Sequence, residues 1–321
     1  MLKFRQLIVQ TGLMLVIIGT ANAADFSSWL NALQDEARQR GIAQATLSTA
    51  FAELDKPVAQ VIELDRNQPE TVQTLAQYLT ARVTPRRIAD GHRMLRRYPT
   101  WLGRVEQSQQ VQRRFIVALW GIETHYGQYS GRMPVIPALA TLAFDGRRST
   151  YFRTELFELL ELLDNDRIRP DQLYGSWAGA MGQCQFMPSS FRRYAVNADG
   201  GRIDIWTSLP DVFASTANYL KQNGWQDDQT WGRQVLLPVG FDLSLAGLDK
   251  TLPLPRWQQL GVRRSNGSAL PKRPLDASLI LPEGPAGPAY LVYANFHALL
   301  KWNRSLSFAI AVGTLADRLA D

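Results

Sequence analysis

Carboxylates, histidines and one cysteine are the residues of this 321-residue chain that could carry reaction chemistry. His92, His125 and His297 are widely spaced, and none sits in a HExxH-like pair. One cysteine, Cys184, makes neither a disulfide framework nor a multi-cysteine zinc site. A metalloenzyme is therefore not expected, and nothing implies a cofactor. Glu123 stands out among the carboxylates. It directly follows Phe115-Ile116-Val117-Ala118-Leu119-Trp120-Gly121-Ile122, a helical run apolar on all sides that should lie deep in a core. Burial disfavours the charged form of a carboxyl group. An acid that keeps its proton near neutral pH is what protonation of a glycosidic oxygen requires. The other reading open at this point is a buried glutamate paired with an arginine and holding helices together.

A second cluster runs Gly175-Ser176-Trp177-Ala178-Gly179-Ala180-Met181-Gly182-Gln183-Cys184-Gln185-Phe186-Met187-Pro188-Ser189-Ser190. Its small residues let a backbone approach another chain or a sugar ring. Ser176 and Gln185 supply donors and acceptors that can read hydroxyl and acetamido groups. Pro188 can open a helix at its first turn. A glycine-rich helix-packing motif would have the same composition, and by itself that is the better reading.

The elements that must position these groups are mostly helical. Apolar residues recur at helical spacing over 26–55, with a break at Gly41, and Pro69 could begin a helix through Val72, Leu75, Tyr78 and Leu79. The stretch opened by Pro85 should end before Pro99. Further helices are expected over 115–122, 135–143, 150–163, 189–195 and 209–222, and one more closes the chain. After Trp231 the pattern changes: Val235 to Val239, Leu279 to Leu281 and Tyr290 to Tyr293 read as short strands among crowded prolines. The class is mainly α, an α+β chain with a small β-containing part.

The composition is that of a globular protein, with 45% hydrophobic and 20% charged residues. Lys3 and Arg5 precede an apolar stretch from Leu7 to Ile18, and Ala21-Asn22-Ala23 resembles a cleavage site. Residues 1–23 are thus expected to be a cleaved signal peptide, and the absence of a cysteine near that point argues against a lipid anchor. The expected location is the periplasm. Removing Lys3 and Arg5 from 35 basic residues leaves 33 against 29 acidic ones, a net +4. A mildly basic exported protein suits an anionic polymer such as a cell wall. Nucleic acid is not expected, because the arginines fall in scattered pairs without a recognition motif.

Taken together, the two clusters resemble the B-type lytic murein transglycosylases, glycoside hydrolase family 103. The resemblance rests on Trp120-Gly121-Ile122-Glu123-Thr124 and on the stretch from Gly175 to Ser190. It extends to Asp65-Arg66-Asn67-Gln68-Pro69-Glu70, Ala217-Asn218-Tyr219-Leu220, Leu281-Pro282, Gly284, Gly287-Pro288, Asn295-Phe296, Trp302-Asn303-Arg304-Ser305 and Ala309-Ile310-Ala311-Val312. It implies a lysozyme-like catalytic core wrapped by helices. On that basis 24–105 would be an N-terminal helical region, 106–228 the core, 229–288 the β-containing part, and 289–321 a helical segment returning to the groove. The implied activity is non-hydrolytic cleavage of the β-1,4 bond between N-acetylmuramic acid and N-acetylglucosamine, giving 1,6-anhydromuramyl ends.

By the same resemblance Glu123 is acid and then base, and the substrate acetamido oxygen replaces the second carboxylate that a retaining hydrolase holds about 5 Å away. Glu155 and Asp204 remain distant carboxylates that could fold into the groove. The implied sugar contacts are Ser176, Gln185, Phe186, Tyr219 and Asn303, with Tyr151 and Trp302. Trp302 and Phe308 stand where tyrosines are frequent, so stacking should survive but a hydroxyl hydrogen bond should not. Cys184 should be a buried, unpaired thiol. The stretch from Asn197 to Trp206 resembles a calcium loop but reads as degenerate: counted from Asn197, position 5 is Gly201 and position 6 is Arg202. No metal is expected. The implied partners are peptidoglycan glycan strands and, beyond them, other cell-wall enzymes, with no membrane span in the mature chain. A muramidase that admits water and a non-catalytic wall-binding scaffold are the competing readings.

Overall fold

The computed structural model describes residues 23–67 and 73–320. The leader, apart from Ala23, and the Gln68-Pro69-Glu70 end of one motif lie outside the described residues. So does the helical start expected at Pro69.

The N-terminal helices α1 (Ala23–Gln39), α2 (Gln44–Ala50), α3 (Ala59–Arg66) and α4 (Leu75–Arg82) follow the apolar periodicity. On α1 the buried residues Phe26, Leu30, Leu33 and Ala37 form one stripe. Helix α4 begins at a Thr74–Gln77 capping box. Helix α5 (Pro85–Arg97) ends as expected, but Pro99 does not halt the chain. Tyr98 is both the C-cap of α5 and the N-cap of α6 (Pro99–Gln109), so Pro99 takes the first helical position, where its missing N–H costs nothing.

Helix α7 (Arg113–Thr124) is buried from Phe115 through Ile122 and is the axis of the main core. Helices α8 (Val135–Phe144) and α9 (Ser149–Asp164) pack on each other, and α10 (Pro188–Tyr194) and α11 (Leu209–Gln222) complete this layer. A two-residue antiparallel pair, β1 (Met133–Pro134) with β2 (Tyr174–Gly175), ties the start of α8 to the glycine-rich segment.

A five-stranded antiparallel sheet follows, in the order β4-β6-β7-β3-β5. Its strands are β3 (Gly232–Leu236), β4 (Thr251–Pro253), β5 (Arg263–Arg264), β6 (Asp276–Ile280) and β7 (Ala289–Val292), with α12 (Leu254–Gln259) between β4 and β5. Strand β3 starts earlier than the expected Val235–Val239 and stops before Pro238, which has no N–H to donate to the ladder. Strand β7, close to the strand expected over Tyr290 to Tyr293, pairs with both β3 and β6, so the sheet extends past residue 288. One face of the sheet closes a separate small core around Trp257, Val262, Leu279 and Leu291. The other face, through Ile280, Tyr290 and Val292, joins the main core.

Helices α13 (Ala294–Trp302) and α14 (Leu306–Arg318) end the chain, and α14 packs along α7. The class is mainly α with a small β part, as the sequence indicates. Among the described residues no helix is long and apolar enough to cross a membrane.

One ion cluster holds the N-terminal region to the core. Asp65, 3% exposed at the end of α3, accepts from Arg147 Nε at 2.9 Å and pairs with Arg148, both in the α8–α9 turn. Burial alone would raise its carboxyl, but the two guanidiniums outweigh burial and hold it below the ordinary value of 3.8. Such a group stabilises the fold above its ordinary value, and that contribution fades as the pH falls below it. Because both arginines are partly exposed, Asp65→Asn should cost about 1–3 kcal/mol at neutral pH. Thermal unfolding of both proteins should show the difference shrinking below about pH 4. A difference that holds constant down to pH 2 would contradict this account of Asp65.

Candidate active site

Glu123 is the last residue but one of α7, at the point where the helix leaves the core, and it is half-buried. The helix stops because three consecutive residues, His125, Tyr126 and Gly127, take positive φ values of 51°, 59° and 82°. At Gly127 any side chain is also excluded by packing, since a Cβ there would lie 2.2 Å from the Gln183 amide oxygen. The turn thus exposes the end of α7 while keeping its body dry.

Gln183 fixes this helix end to the glycine-rich segment. Its side-chain oxygen accepts from Trp120 Nε1 at 2.8 Å, its Nε2 donates to the Trp206 carbonyl at 2.7 Å, and its backbone N–H donates to the Ile205 carbonyl at 2.8 Å. The Thr124 hydroxyl adds a contact to the Gln183 carbonyl. The amide, the Trp120 indole and Ile205 are buried and Trp206 is partly so, so the donors and acceptors are matched largely out of water. Gly182, at φ +61°, makes the close approach possible: a Cβ would sit 2.7 Å from the Ile205 carbonyl oxygen. Sequence reasoning nominated neighbouring Gln185 and passed over Gln183. The available signal was the Trp120 indole one turn before Glu123, a buried donor that needs an acceptor.

The segment itself is a small, tightly bonded hairpin. Met181 and Phe186 exchange backbone hydrogen bonds, and the Ser176 hydroxyl accepts from the Ala178 and Ala180 N–H groups. Gln185, at φ +51°, donates its side-chain N–H groups to the Ser130 and Gly182 carbonyls. Ser176 and Gln185 thus shape the loop with the same polar atoms expected to meet a sugar.

The opposite wall comes from the far end of the chain. Trp302, the last residue of α13, donates its indole N–H to Glu123 Oε1 at 2.6 Å. Its ring lies 4.7 Å from the Tyr219 ring and 5.2 Å from the Phe186 ring, centre to centre. Phe186 and Tyr219 are 2% and 7% exposed, so they back Trp302 and do not present an open stacking face. The Tyr219 hydroxyl donates to the Lys301 carbonyl at 2.6 Å, and burial holds that phenol well above its usual range. Asn303 Oδ1 accepts from the Ser305 N–H, and the Ser305 hydroxyl caps α14 at Phe308. At residue 302 the indole N–H supplies a donor, while the acceptor that a hydroxyl would add is absent. Phe308, by contrast, is simply buried.

Tyr151 is 48% exposed and lies within electrostatic reach of Arg304 and Tyr219, on the same side of the molecule. Desolvation and the neighbouring Glu155 push its phenol up to about 12. Glu155 does not join Glu123: it is 3% exposed, and its oxygens accept from the Ser189 N–H and hydroxyl at the start of α10. Asp204 is likewise committed, to the N–H groups of Trp206 and Thr207 and to the Thr207 hydroxyl. The Cys184 thiol is buried, and desolvation pushes it up to about 12, so the reactive thiolate is disfavoured. A cavity of about 1220 Å³ lies apart from these groups, lined by Glu53, Asp55, Lys56, Arg132 and Tyr174 among others.

The degenerate loop at 197–208 is closed by its own hydrogen bonds. Asp211, buried at the start of α11, accepts from the Ala198 and Asp204 N–H groups. Asp199 accepts from the Gly201 N–H and the Ser208 hydroxyl, and Asn197 Oδ1 accepts from Gly200. The oxygens a calcium ion would need thus point to backbone donors, and the residues present do not fit the ion. Among the described residues no three His, Cys, Asp or Glu side chains are grouped to hold a metal.

The chain is mainly helical and brings together one glutamate at the end of a buried helix, an amide-stapled glycine loop and an aromatic wall. Residues 25–317 match the transglycosylase SLT domain model. The chain is 34% identical over 252 residues to the membrane-bound lytic murein transglycosylase B of Escherichia coli, covering 74% of this chain and 65% of that relative's length. Among solved structures it resembles SltB3 of Pseudomonas aeruginosa in complex with NAG-anhNAM-pentapeptide, with a TM-score of 0.86 and 43% identity over 92% of this chain and 79% of that one. It also resembles an Escherichia coli lytic transglycosylase in complex with calcium, with a TM-score of 0.75 and 28% identity over 92% of each chain. The chain belongs to the transglycosylase SLT domain family.

Because Asp211 closes the loop here, EDTA should leave the melting temperature within about 1 °C of its starting value, and added calcium should not raise it. A calcium-dependent rise of several degrees would show that the loop binds the ion after all.

Proposed function

We propose that this chain is a periplasmic lytic transglycosylase that cleaves the β-1,4 bond between N-acetylmuramic acid and N-acetylglucosamine in peptidoglycan. The observation that carries the reading is Glu123, held at the exposed end of a dry helix by the Trp302 indole. Family membership supplies the substrate class, and the related SltB3 structure holds a ligand with an anhydro-muramyl end.

In the first step the Glu123 carboxyl gives its proton to the glycosidic oxygen. The muramyl C1–O bond breaks, the N-acetylglucosamine leaves with a free 4-hydroxyl, and the muramyl acetamido oxygen closes on C1 to give an oxazolinium ion. In the second step the Glu123 carboxylate takes the proton of the muramyl C6 hydroxyl, O6 attacks C1, and the acetamido oxygen departs. Glu123 ends protonated again, and no water is consumed. The commitment of Glu155 and Asp204 to backbone and hydroxyl donors supports acetamido assistance over a second carboxylate. Ser176, Gln185, Asn303 and Tyr151 are proposed to bind the sugars, with Phe186 and Tyr219 supporting Trp302 from behind.

Incubation with purified sacculi should release muropeptides one water lighter than lysozyme products, read by mass spectrometry. Products carrying only reducing ends would replace this reading with that of a muramidase. Glu123→Gln should lower the rate by a factor of about 10²–10⁴ or more while the melting temperature and sacculus binding stay near wild type.

A further inference from the structure

The turn that ends α7, just beyond Glu123, is fastened to α5. His125 and Tyr126 both take left-handed φ values, 51° and 59°, which residues with side chains seldom adopt unless neighbouring contacts enforce them. Both contacts reach Arg87 of α5. The Tyr126 hydroxyl donates to the Arg87 carbonyl at 2.7 Å, and Arg87 Nη2 lies 3.3 Å from His125 Nδ1. A guanidinium offers only N–H donors, so that contact is a hydrogen bond only while Nδ1 keeps its lone pair. The ring's proton then sits on Nε2, 3.5 Å from Asp90 Oδ2. Asp90 is buried, and its carboxylate already faces Arg93 at 2.7 Å and Arg86 at 3.9 Å. Behind Arg87 stand Arg82 and Tyr78, and within the turn the Tyr126 and Tyr129 rings lie 5.9 and 6.1 Å from the imidazole. A protonated His125 would be one more cation where Arg86, Arg87 and Arg93 share a single carboxylate. It would also meet the Arg87 donor with a donor of its own.

We propose that His125 is a positioning residue for Glu123: its unprotonated ring fastens the turn after α7 to α5, and protonation releases that turn and the carboxyl with it. The inference rests on Glu123 acting as the acid, and it adds what holds that acid in place and when the hold is lost. The backbone carries the link. The His125 N–H donates to the Gly121 carbonyl and the Tyr126 N–H to the Trp120 carbonyl, closing the last turn of α7 around Glu123. Burial and the Arg87 charge hold the imidazole below its ordinary 6.5, against the pull of Asp90, so the ring is unprotonated at neutral pH. An enzyme that begins with a protonated acid loses no activity through that acid as the pH falls. The acid limb of its pH profile is then free to report His125.

The test compares His125→Ala, which removes the acceptor, with His125→Asn, whose side-chain oxygen can accept from Arg87, does not titrate and tolerates a left-handed backbone. With soluble peptidoglycan strands near neutral pH, kcat of His125→Ala should fall about ten- to a hundredfold while KM changes little, and His125→Asn should recover most of the loss. The acid limb of wild-type kcat/KM should lie below pH 6.5 and should move down by about one unit or more in His125→Asn. In wild-type ¹H–¹⁵N spectra the Trp302 indole, bonded to Glu123, should show a step at the midpoint of the His125 ring, and that step should be missing in His125→Asn. A His125→Ala enzyme with wild-type kcat and an unmoved acid limb would overturn the proposal. So would a His125→Asn enzyme as slow as His125→Ala, or a wild-type indole resonance with no step at the His125 midpoint. The last of these decides the matter even where a variant does not fold. If wild-type protein released no anhydro-muropeptides, the acid–base reading of Glu123 would fail by itself, which the indole step distinguishes because it needs no turnover.

Discussion

The contact between the Trp302 indole and Glu123 joins residues 179 positions apart, and much of the architecture serves to make it short. Glu123 depends on α7 being buried and on the abrupt stop after Thr124. Trp302 depends on α13 ending where it does. That end is set by the Tyr219 hydroxyl on the Lys301 carbonyl and by the Asn303–Ser305 turn that starts α14. Helix α14 then packs back along α7, so one helix pair closes the loop from the Glu123 carboxyl to the indole and back to the core. On the proposed mechanism a hydrogen bond of this kind has value as aim, since the transferred proton must meet a sugar oxygen within a few tenths of an ångström.

Buried side-chain amides and carboxylates hold the irregular parts of the fold. Gln183 binds the glycine-rich segment to α7 and to the Ile205–Trp206 strand of loop. Asn295, fully buried at the start of α13, accepts from the Gln226 N–H and donates to the Gln226 and Gln229 carbonyls. Asp211 does the same for the loop before α11. Asn295 and Asp211 each bind two or three backbone groups, and Gln183 binds one together with the Trp120 indole, at about 1–3 kcal/mol for each group left unsatisfied. These are geometrically specific fastenings, so the loops that form the cleft can be irregular and still rigid.

How much of this was legible in the sequence follows from the range of each interaction. Helices with a full apolar stripe, such as α1, α8, α9 and α11, are readable because their periodicity is local. The two-residue strands β1, β2 and β5 carry no period of their own and exist through partners elsewhere in the chain. Helix α6 was hidden because Pro99 reads equally as a stop and as a first turn, and only the shared Tyr98 cap decides between them. In the site, Glu123 was legible because burial and charge conflict within one short window. Gln183 and the donor role of Trp302 were not, since each depends on which atom a distant segment presents. Phe186 and Tyr219 were recognised as aromatic but not as the inner layer of the wall, a distinction that only burial makes.

The acids of this chain divide by what they face. Asp65 meets two arginines, Glu155 meets a helix start, and Asp204 and Asp211 meet loop N–H groups; each is bound by several donors and is spent on structure. Glu123 faces the other end of a helix, where the C-terminal end of the α7 dipole opposes a second negative charge. The indole of Trp302 acts in the opposite sense, favouring the carboxylate once the proton has left. On the proposed mechanism, in which the group is acid in one step and base in the next, both influences contribute.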